Sequence, residues 1–314
     1  MSVDTAIEWC DSSGNPTMGC EGCEIWTKTS RLCYAGLLHE QRPGHKGYAK
    51  KFEEPEMFPE RMDKMAGWPD LSGKHRMGSK KVGPKPWMTA MPRTIFLGDM
   101  GDLFSTSIPD DFIHGVIQKA VNSDKHIWMV LTKRPSRMAK MFGPGSCVID
   151  SKNIWGMTSV TNRKSLPRIE WLKKTSFHVK GLAVEPLTED LPELPNMLDG
   201  LDWVIVGGLS GNIDPENRTR LEWIQRIVNG CLERKIPVFV KQIGSGHPDQ
   251  GHCNHKGSDW LHWPKEIHVR QMPLNKTKLP SDWNFHPTNF YAYEADMFDE
   301  RSPNVLSRGD SIPH

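Results

Sequence analysis

From Thr94 to Gln242 the chain repeats one pattern: a short apolar run, a polar or glycine-bearing tip, then a stretch with apolar residues at helical spacing. The runs begin near residues 94, 127, 154, 179, 203 and 238. Helical stretches open near Pro109, Pro135, Leu166 and Leu221; the last carries Leu221, Ile224, Ile227, Val228 and Cys231 on one face. Continuous apolar strands joined by helical crossovers imply a parallel sheet covered on both faces. The rhythm therefore predicts an α/β chain, a partial (β/α)6-8 TIM-like barrel. One further strand is expected at residues 6–10, before a turn at 11–16, and a short helix from Tyr34 to a stop near Pro43-Gly44.

The tips narrow the search for a site. They are Gly98-Asp99, with Asp102 just beyond, Thr132-Lys133-Arg134, Thr158-Ser159, Glu185-Pro186, Gly207-Gly208 and Lys241-Gln242. In barrels and open α/β sheets, ligands bind at the carboxyl ends of the strands. Any single tip is ordinary loop polarity. Six in register are expected to ring one mouth.

A second feature is equally concentrated. Of seven cysteines, Cys20, Cys23 and Cys33 fall within one short stretch, with Cys10 just upstream. Soft thiolates are the usual protein ligands of iron–sulfur clusters. Three cysteines would leave one iron of a four-iron cluster open to a substrate or cofactor. Zinc is the competing reading, since a closed set of four ligands is completed by Cys10 or His39. A disulfide set fits less well, because a chain of 314 residues builds a core without staples and the N-terminus lacks the basic-then-apolar order of a secretory signal. On the residues alone, iron–sulfur and zinc both stay open.

Composition excludes some classes and leaves others. With 37% hydrophobic and 25% charged residues the chain reads as globular, and no apolar run approaches the ~20 residues of a membrane helix. No membrane association is expected, and the expected location is a reducing cytoplasm. A net charge of +2 argues for no partner, but its distribution does. Residues 41–93 read as a long irregular insertion. Its 71–93 part carries Lys74, Arg76, Lys80, Lys81, Lys85 and Arg93 without an acid, flanked by Trp68 and Trp87. Basic loops with aromatic residues suit nucleic acid; a solvated insertion is the alternative. Residues 1–246 are assigned to the barrel, with an N-terminal iron–sulfur loop, and 247–314 to a C-terminal extension packing on it. His247, His252, Cys253 and His255 form a possible second metal group whose spacing fits no standard finger.

Several short motifs occur in a telling order: Ile7-Glu8-Trp9, Asn15-Pro16, Gly19-Cys20, Cys33-Tyr34-Ala35, Asp99-Met100-Gly101-Asp102-Leu103-Phe104, Leu131-Thr132-Lys133-Arg134-Pro135, Val184-Glu185-Pro186-Leu187, the stretch from Trp203 to Gly211, and Lys241-Gln242. In this order the chain resembles a phage-associated radical S-adenosylmethionine-like family, usually described only as phage proteins of unknown function. It departs from the family pattern at Ser30, where a cysteine is usual, and at Leu209, where an acid is usual. The resemblance implies a radical enzyme with a [4Fe-4S] cluster on Cys20, Cys23 and Cys33, with Cys10 as the alternative to Cys23. It also implies S-adenosyl-L-methionine as cofactor and an electron donor as partner. Asp99 and Asp102 would then meet ribose hydroxyls or the methionine ammonium. Lys133 and Arg134 would meet the methionine carboxylate or a substrate phosphate. Ser159 would join the cofactor set, Glu185 and Lys241 would face the substrate, and Gly207, Gly208 and Gly211 would admit a ligand close to the backbone. The family's company makes a nucleotide or DNA base the expected substrate, with isomerisation of an amino-acid-decorated thymine as one such reaction. A zinc-stabilised nucleic-acid-binding protein, or a radical enzyme acting on a peptide or small metabolite, are the alternatives.

Overall fold

The structure is a computed structural model that describes residues 1–77, 83–146, 148, 151–211, 213–246, 256–259 and 262–277. In chain order it contains β1 (Ser12–Gly14), β2 (Thr17–Met18), α1 (Tyr34–Glu40), β3 (Glu56–Met57), α2 (Glu60–Ala66), β4 (Arg93–Leu97), α3 (Asp110–Asn122) and β5 (His126–Thr132). Then follow α4 (Pro135–Met141), β6 (Ile154–Ser159), α5 (Arg168–Lys173), β7 (Val179–Leu187), β8 (Trp203–Gly208), α6 (Leu221–Glu233) and β9 (Val238–Gln242). All six expected apolar runs are strands. With β1 they form one seven-stranded parallel sheet in the order β1-β4-β5-β6-β7-β8-β9, curled into a half-barrel.

Side-chain alternation sorts each strand between two apolar layers. Ile95, Leu97, Trp128, Val130, Leu182, Val184, Val204, Val206, Val238 and Val240 point outward and pack with α3, α5 and α6. Phe96, Ile127, Met129, Trp155, Met157, Ala183, Trp203, Ile205 and Phe239 point into the concave face. Both sides of every central strand are thus buried, which explains the unbroken apolar runs. The inner layer is not covered by helices as the sequence pattern suggests. It is filled by the strands' own aromatic side chains and by Trp9, Cys10, Trp87, Met88 and Met91.

The first strand lies elsewhere than expected. Residues 6–10 do not pair in the sheet; β1 falls within the turn-like residues that follow. Its polar side chains are satisfied on site. Ser12 Oγ donates to the Val3 carbonyl at 2.6 Å, and Ser13 Oγ to Asp99 Oδ2 at 3.0 Å. Pairing with β4 overrides the local turn preference.

Residues 41–93 are more ordered than their composition suggests, since they contain β3 and α2. Three of their cations are internal: Arg76, Lys85 and Arg93 are 6%, 2% and 3% exposed. Arg76 reaches Asp11 at 3.2 Å and the carbonyls of Lys74, Thr89 and Pro92 at 2.6, 3.2 and 3.3 Å. Lys85 donates to the carbonyls of Thr5 (3.1 Å), Ile7 (2.6 Å) and Cys10 (2.5 Å). Arg93 donates to the Pro69 carbonyl at 2.7 Å and Ser12 Oγ at 2.8 Å. These cations staple the N-terminal segment to the sheet, so the expectation that they meet nucleic acid is corrected. Lys80 and Lys81 lie outside the described residues.

Residues 262–277 pack on the barrel. Val240 N–H donates to the Val269 carbonyl at 2.8 Å and Gln271 N–H to the Val238 carbonyl at 2.9 Å, which covers the free edge of β9. Trp263 and Ile267 join the outer layer, Met272 and Leu274 the inner one. The His247/His252/Cys253/His255 group and residues 278–314 lie outside the described residues. Among those described, no helix is long and apolar enough to cross a membrane.

Candidate functional site

Extending the inward alternation past the ends of the strands predicts what the mouth contains. Leu131 leads to Lys133, Met157 to Ser159, Ala183 to Glu185 and Phe239 to Lys241. All four polar residues line a cavity of about 470 Å³. Asp99, Asp102 and Gly208 line it too. So do Cys20, Cys23 and Cys33. Thus two sequence features far apart in the chain, the cysteine stretch and the strand tips, meet across one space. The pairing of β7 with β8 shifts register between Val184 and Leu187, at Glu185, as irregularities beside functional sites do when they re-aim a side chain.

The cysteine loop is shaped by its glycines. Gly19 and Gly22, each preceding a cysteine, both have φ of +91°, a conformation that L side chains seldom adopt. A Cβ at Gly19 would also sit 2.7 Å from the Phe52 carbonyl oxygen. Beneath the loop, Met18, Trp26, Ala35, Ala49, Phe52 and Met100 make a small apolar cluster against which Cys20 and Cys33 pack.

Two carboxylates between the cysteines clamp the loop to the barrel. Glu21 accepts from Thr106 N–H at 2.8 Å, Thr106 Oγ1 at 2.7 Å and Ser107 N–H at 2.7 Å. Glu24 accepts both prongs of Arg168, at 2.8 and 2.7 Å, and Thr161 Oγ1 at 2.7 Å. Burial opposes both charges, but these donors outweigh it and hold each carboxyl at about 2. The signal was present in Cys20-Glu21-Gly22-Cys23-Glu24, yet nothing in spacing says that a carboxylate will find an arginine 144 residues away. Arg168→Leu is expected to cost about 2–3 kcal/mol, because it strands a half-buried carboxylate. Urea unfolding checks the cost. Faster alkylation of Cys23 by iodoacetamide in the native protein checks that the loop has loosened.

The thiols differ in setting. Cys10 is fully buried in the inner layer and does not line the cavity. Cys20, Cys23 and Cys33 are partly buried. Burial, helped by Asp102, pushes the Cys20 thiol up to about 12; burial raises Cys23 as well, with Lys133 opposing. As free groups both hold their protons, and metal binding would release them. Among the described residues, no three His, Cys, Asp or Glu side chains converge closely enough to hold a single metal ion.

Asp99, Asp102, Glu185 and Lys241 are already partnered. Asp99 accepts from Ser13 and Asn15, and burial raises its carboxyl. Asp102 accepts from Thr132 Oγ1 at 2.7 Å and from the N–H groups of Lys133 and Phe104, both at 2.9 Å. Ser159 Oγ donates to the Glu185 carbonyl at 2.9 Å. Lys241 is ion-paired with Glu185; burial works against its charge, but Glu185 and Glu8 keep it raised. Lys133 has no ion pair among the described residues. Glu8 is an addition that the sequence pattern did not single out for chemistry. It lines the cavity, is 5% exposed, and its Oε2 has no hydrogen-bond partner among the described residues.

The family described as "Protein of unknown function (DUF5131)" matches residues 4–273, from Glu8 and the cysteine loop through every strand of the sheet. The chain belongs to this family. No curated protein and no solved structure matches it.

Within this DUF5131 chain three expected site residues fall away from the cavity. Arg134 turns aside and pairs with Glu21 at 3.2 Å. Gly211 lies beyond β8, its N–H donating to Ser245 Oγ at 2.9 Å. Gly207 is outside the lining set; a Cβ there would meet Glu185 Cγ at 3.0 Å. At Gly208 a Cβ would lie 2.1 Å from the Ile243 carbonyl oxygen. Strand packing, rather than ligand approach, accounts for this glycine pair.

Proposed function

We propose that the chain is a radical S-adenosyl-L-methionine enzyme acting on a nucleotide or a DNA base. The observation that carries this reading is that Cys20, Cys23 and Cys33 line the same cavity as the strand tips. What supports the reading is three partly buried thiols on a glycine-shaped loop that line the cavity, with Cys10 set apart in the core. These three cysteines would hold a [4Fe-4S] cluster. When bound, such a cluster supplies the electron that turns S-adenosylmethionine into a 5′-deoxyadenosyl radical able to abstract a substrate hydrogen.

The chain's own residues divide the remaining work. Lys133, unpaired and near Cys20 and Cys23, offers a cation to the methionine carboxylate. Asp99 and Asp102 have their oxygens engaged by protein donors, so they hold the loop after β4 in place and shape the cofactor side of the cavity. Glu185 and Lys241, locked together at the far side, present a fixed dipole to the substrate. Glu8, with a free Oε2, offers an acceptor to a substrate N–H or O–H group. The apolar floor of Trp9, Phe96, Leu131 and Ala183 keeps water from the reacting centre.

The test is anaerobic reconstitution with iron and sulfide. The expected product is brown protein with about four irons per chain, which releases 5′-deoxyadenosine on addition of dithionite and S-adenosylmethionine. A colourless protein that takes up stoichiometric zinc and refuses iron would overturn the reading and leave the zinc-stabilised binding protein in its place. If 5′-deoxyadenosine forms but neither nucleotides nor DNA stimulate its release, the substrate assignment fails and the peptide or small-metabolite alternative takes over.

A further inference from the structure

Beside the cavity lies a second, more open depression of about 390 Å³ between α4 and α5. Its chemistry is one-sided. Lys133, Arg134, Arg137, Lys164 and Arg168 line it, Trp171 forms part of its rim, and none of its lining residues is acidic. Three of the cations have carboxylate partners set outside the lining: Glu21 for Arg134 at 3.2 Å, Glu24 for Arg168 at 2.7 Å, and Asp110 for Arg137. Those pairs fix the guanidinium groups without filling the cleft. Lys133 and Lys164 have no ion pair among the described residues. Five cations against three carboxylates leave two positive charges unmatched, inside a concave surface where charge attracts anions most strongly. Trp171 is 37% exposed, an uncommon position for the largest side chain, with Lys174 Nζ 4.3 Å from its ring centre.

Lys133 lines both spaces. A ligand with one part in the cavity therefore has a continuous basic path for its next part. We propose that this cleft binds the phosphodiester backbone of a nucleic-acid strand whose target base enters the cavity. The inference rests on the reading of the cavity as a base-modifying site, and it deepens that reading by choosing a polynucleotide over a free nucleotide. Lys133, assigned above to the cofactor carboxylate, marks the junction of the two spaces. Four further cations, on α4 and α5 and in the turns before them, match successive phosphates, and an exposed indole matches an unstacked neighbouring base. The cleft also takes over the role that composition assigns to residues 71–93, whose Arg76, Lys85 and Arg93 are buried.

The experiment is fluorescence anisotropy with a labelled single-stranded oligonucleotide and the full chain, prepared anaerobically, between about 50 and 200 mM salt. The Ser136→Asp/Lys164→Glu double variant places two negative charges in the cleft. An acid at the start of α4 suits the helix dipole, so the variant folds. The expected result is binding weakened by about tenfold or more and a salt slope shallower by about one to two. Lys74→Glu, on the exposed part of the 71–93 segment, should bind as the parent does, and thymidine monophosphate should not displace the oligonucleotide. The proposal is overturned if the double variant binds as tightly as the parent, if the parent binds no oligonucleotide at low salt, or if the monophosphate competes equally per phosphate. Iron content and 5′-deoxyadenosine release, measured on the same preparations, report separately on the radical reading. A parent that binds no oligonucleotide while its radical formation is intact counts against the cleft alone.

Discussion

Cys20→Ala, Cys23→Ala and Cys33→Ala should each abolish the brown chromophore and 5′-deoxyadenosine release, while Cys10→Ala keeps both. The contrast follows from position. The three thiols line one cavity, and removing one leaves a cluster with too few protein ligands to persist. Cys10 sits at 0% exposure among Trp9, Trp87 and the inner strand residues, and its removal opens a small apolar void. That costs about 1–2 kcal/mol of stability and no iron. Anaerobic iron analysis and absorbance decide the matter. Loss of iron in Cys10→Ala with retention in Cys23→Ala would mean that the ligand set has been assigned to the wrong cysteine.

Arg76→Met should lower stability by about 3–5 kcal/mol, the cost of breaking a buried ion pair from one side. Arg76 and Asp11 have side-chain exposures of 3% and 4%. Asp11 in turn receives Thr94 N–H at 2.9 Å, so the pair joins the N-terminal segment to the start of β4. Methionine fills much of the volume but strands Asp11 and several buried carbonyls. Urea unfolding followed by tryptophan fluorescence measures the loss. Oligonucleotide affinity of the folded fraction should be unchanged. A variant of unaltered stability with weakened DNA binding would show instead that Arg76 acts at the surface.

Much of the site was legible before the fold. Lys133, Ser159, Glu185 and Lys241 follow from one rule, that side chains alternate along a strand and ligands gather at the carboxyl ends of parallel strands. Arg134 shows the limit of the rule. It neighbours Lys133 in sequence, so alternation alone sends it to the other side, into the basic cleft. Glu8 was visible as an acid within an apolar segment, but its burial beside Lys241 depends on how residues 1–10 thread the inner layer. Gly208 illustrates a different gap: a glycine at a strand tip looks like a ligand site until the Ile243 carbonyl is found against it.

The amino-acid sequence by itself determined the parallel α/β architecture, because unbroken apolar runs separated by amphipathic helices have few other ways to bury their surface. It also determined the cluster of thiols and the polar tips, since both are local patterns. Only the tertiary structure decided that these two sets line one cavity, that Cys10 is core and Cys23 is not, and that Arg76, Lys85 and Arg93 point inward while a cleft between α4 and α5 carries open positive charge. Those outcomes depend on contacts such as Glu24 with Arg168 and Lys85 with Cys10, made between residues far apart in the chain. Neither composition nor periodicity encodes which distant partner a charge will find once burial makes finding one obligatory.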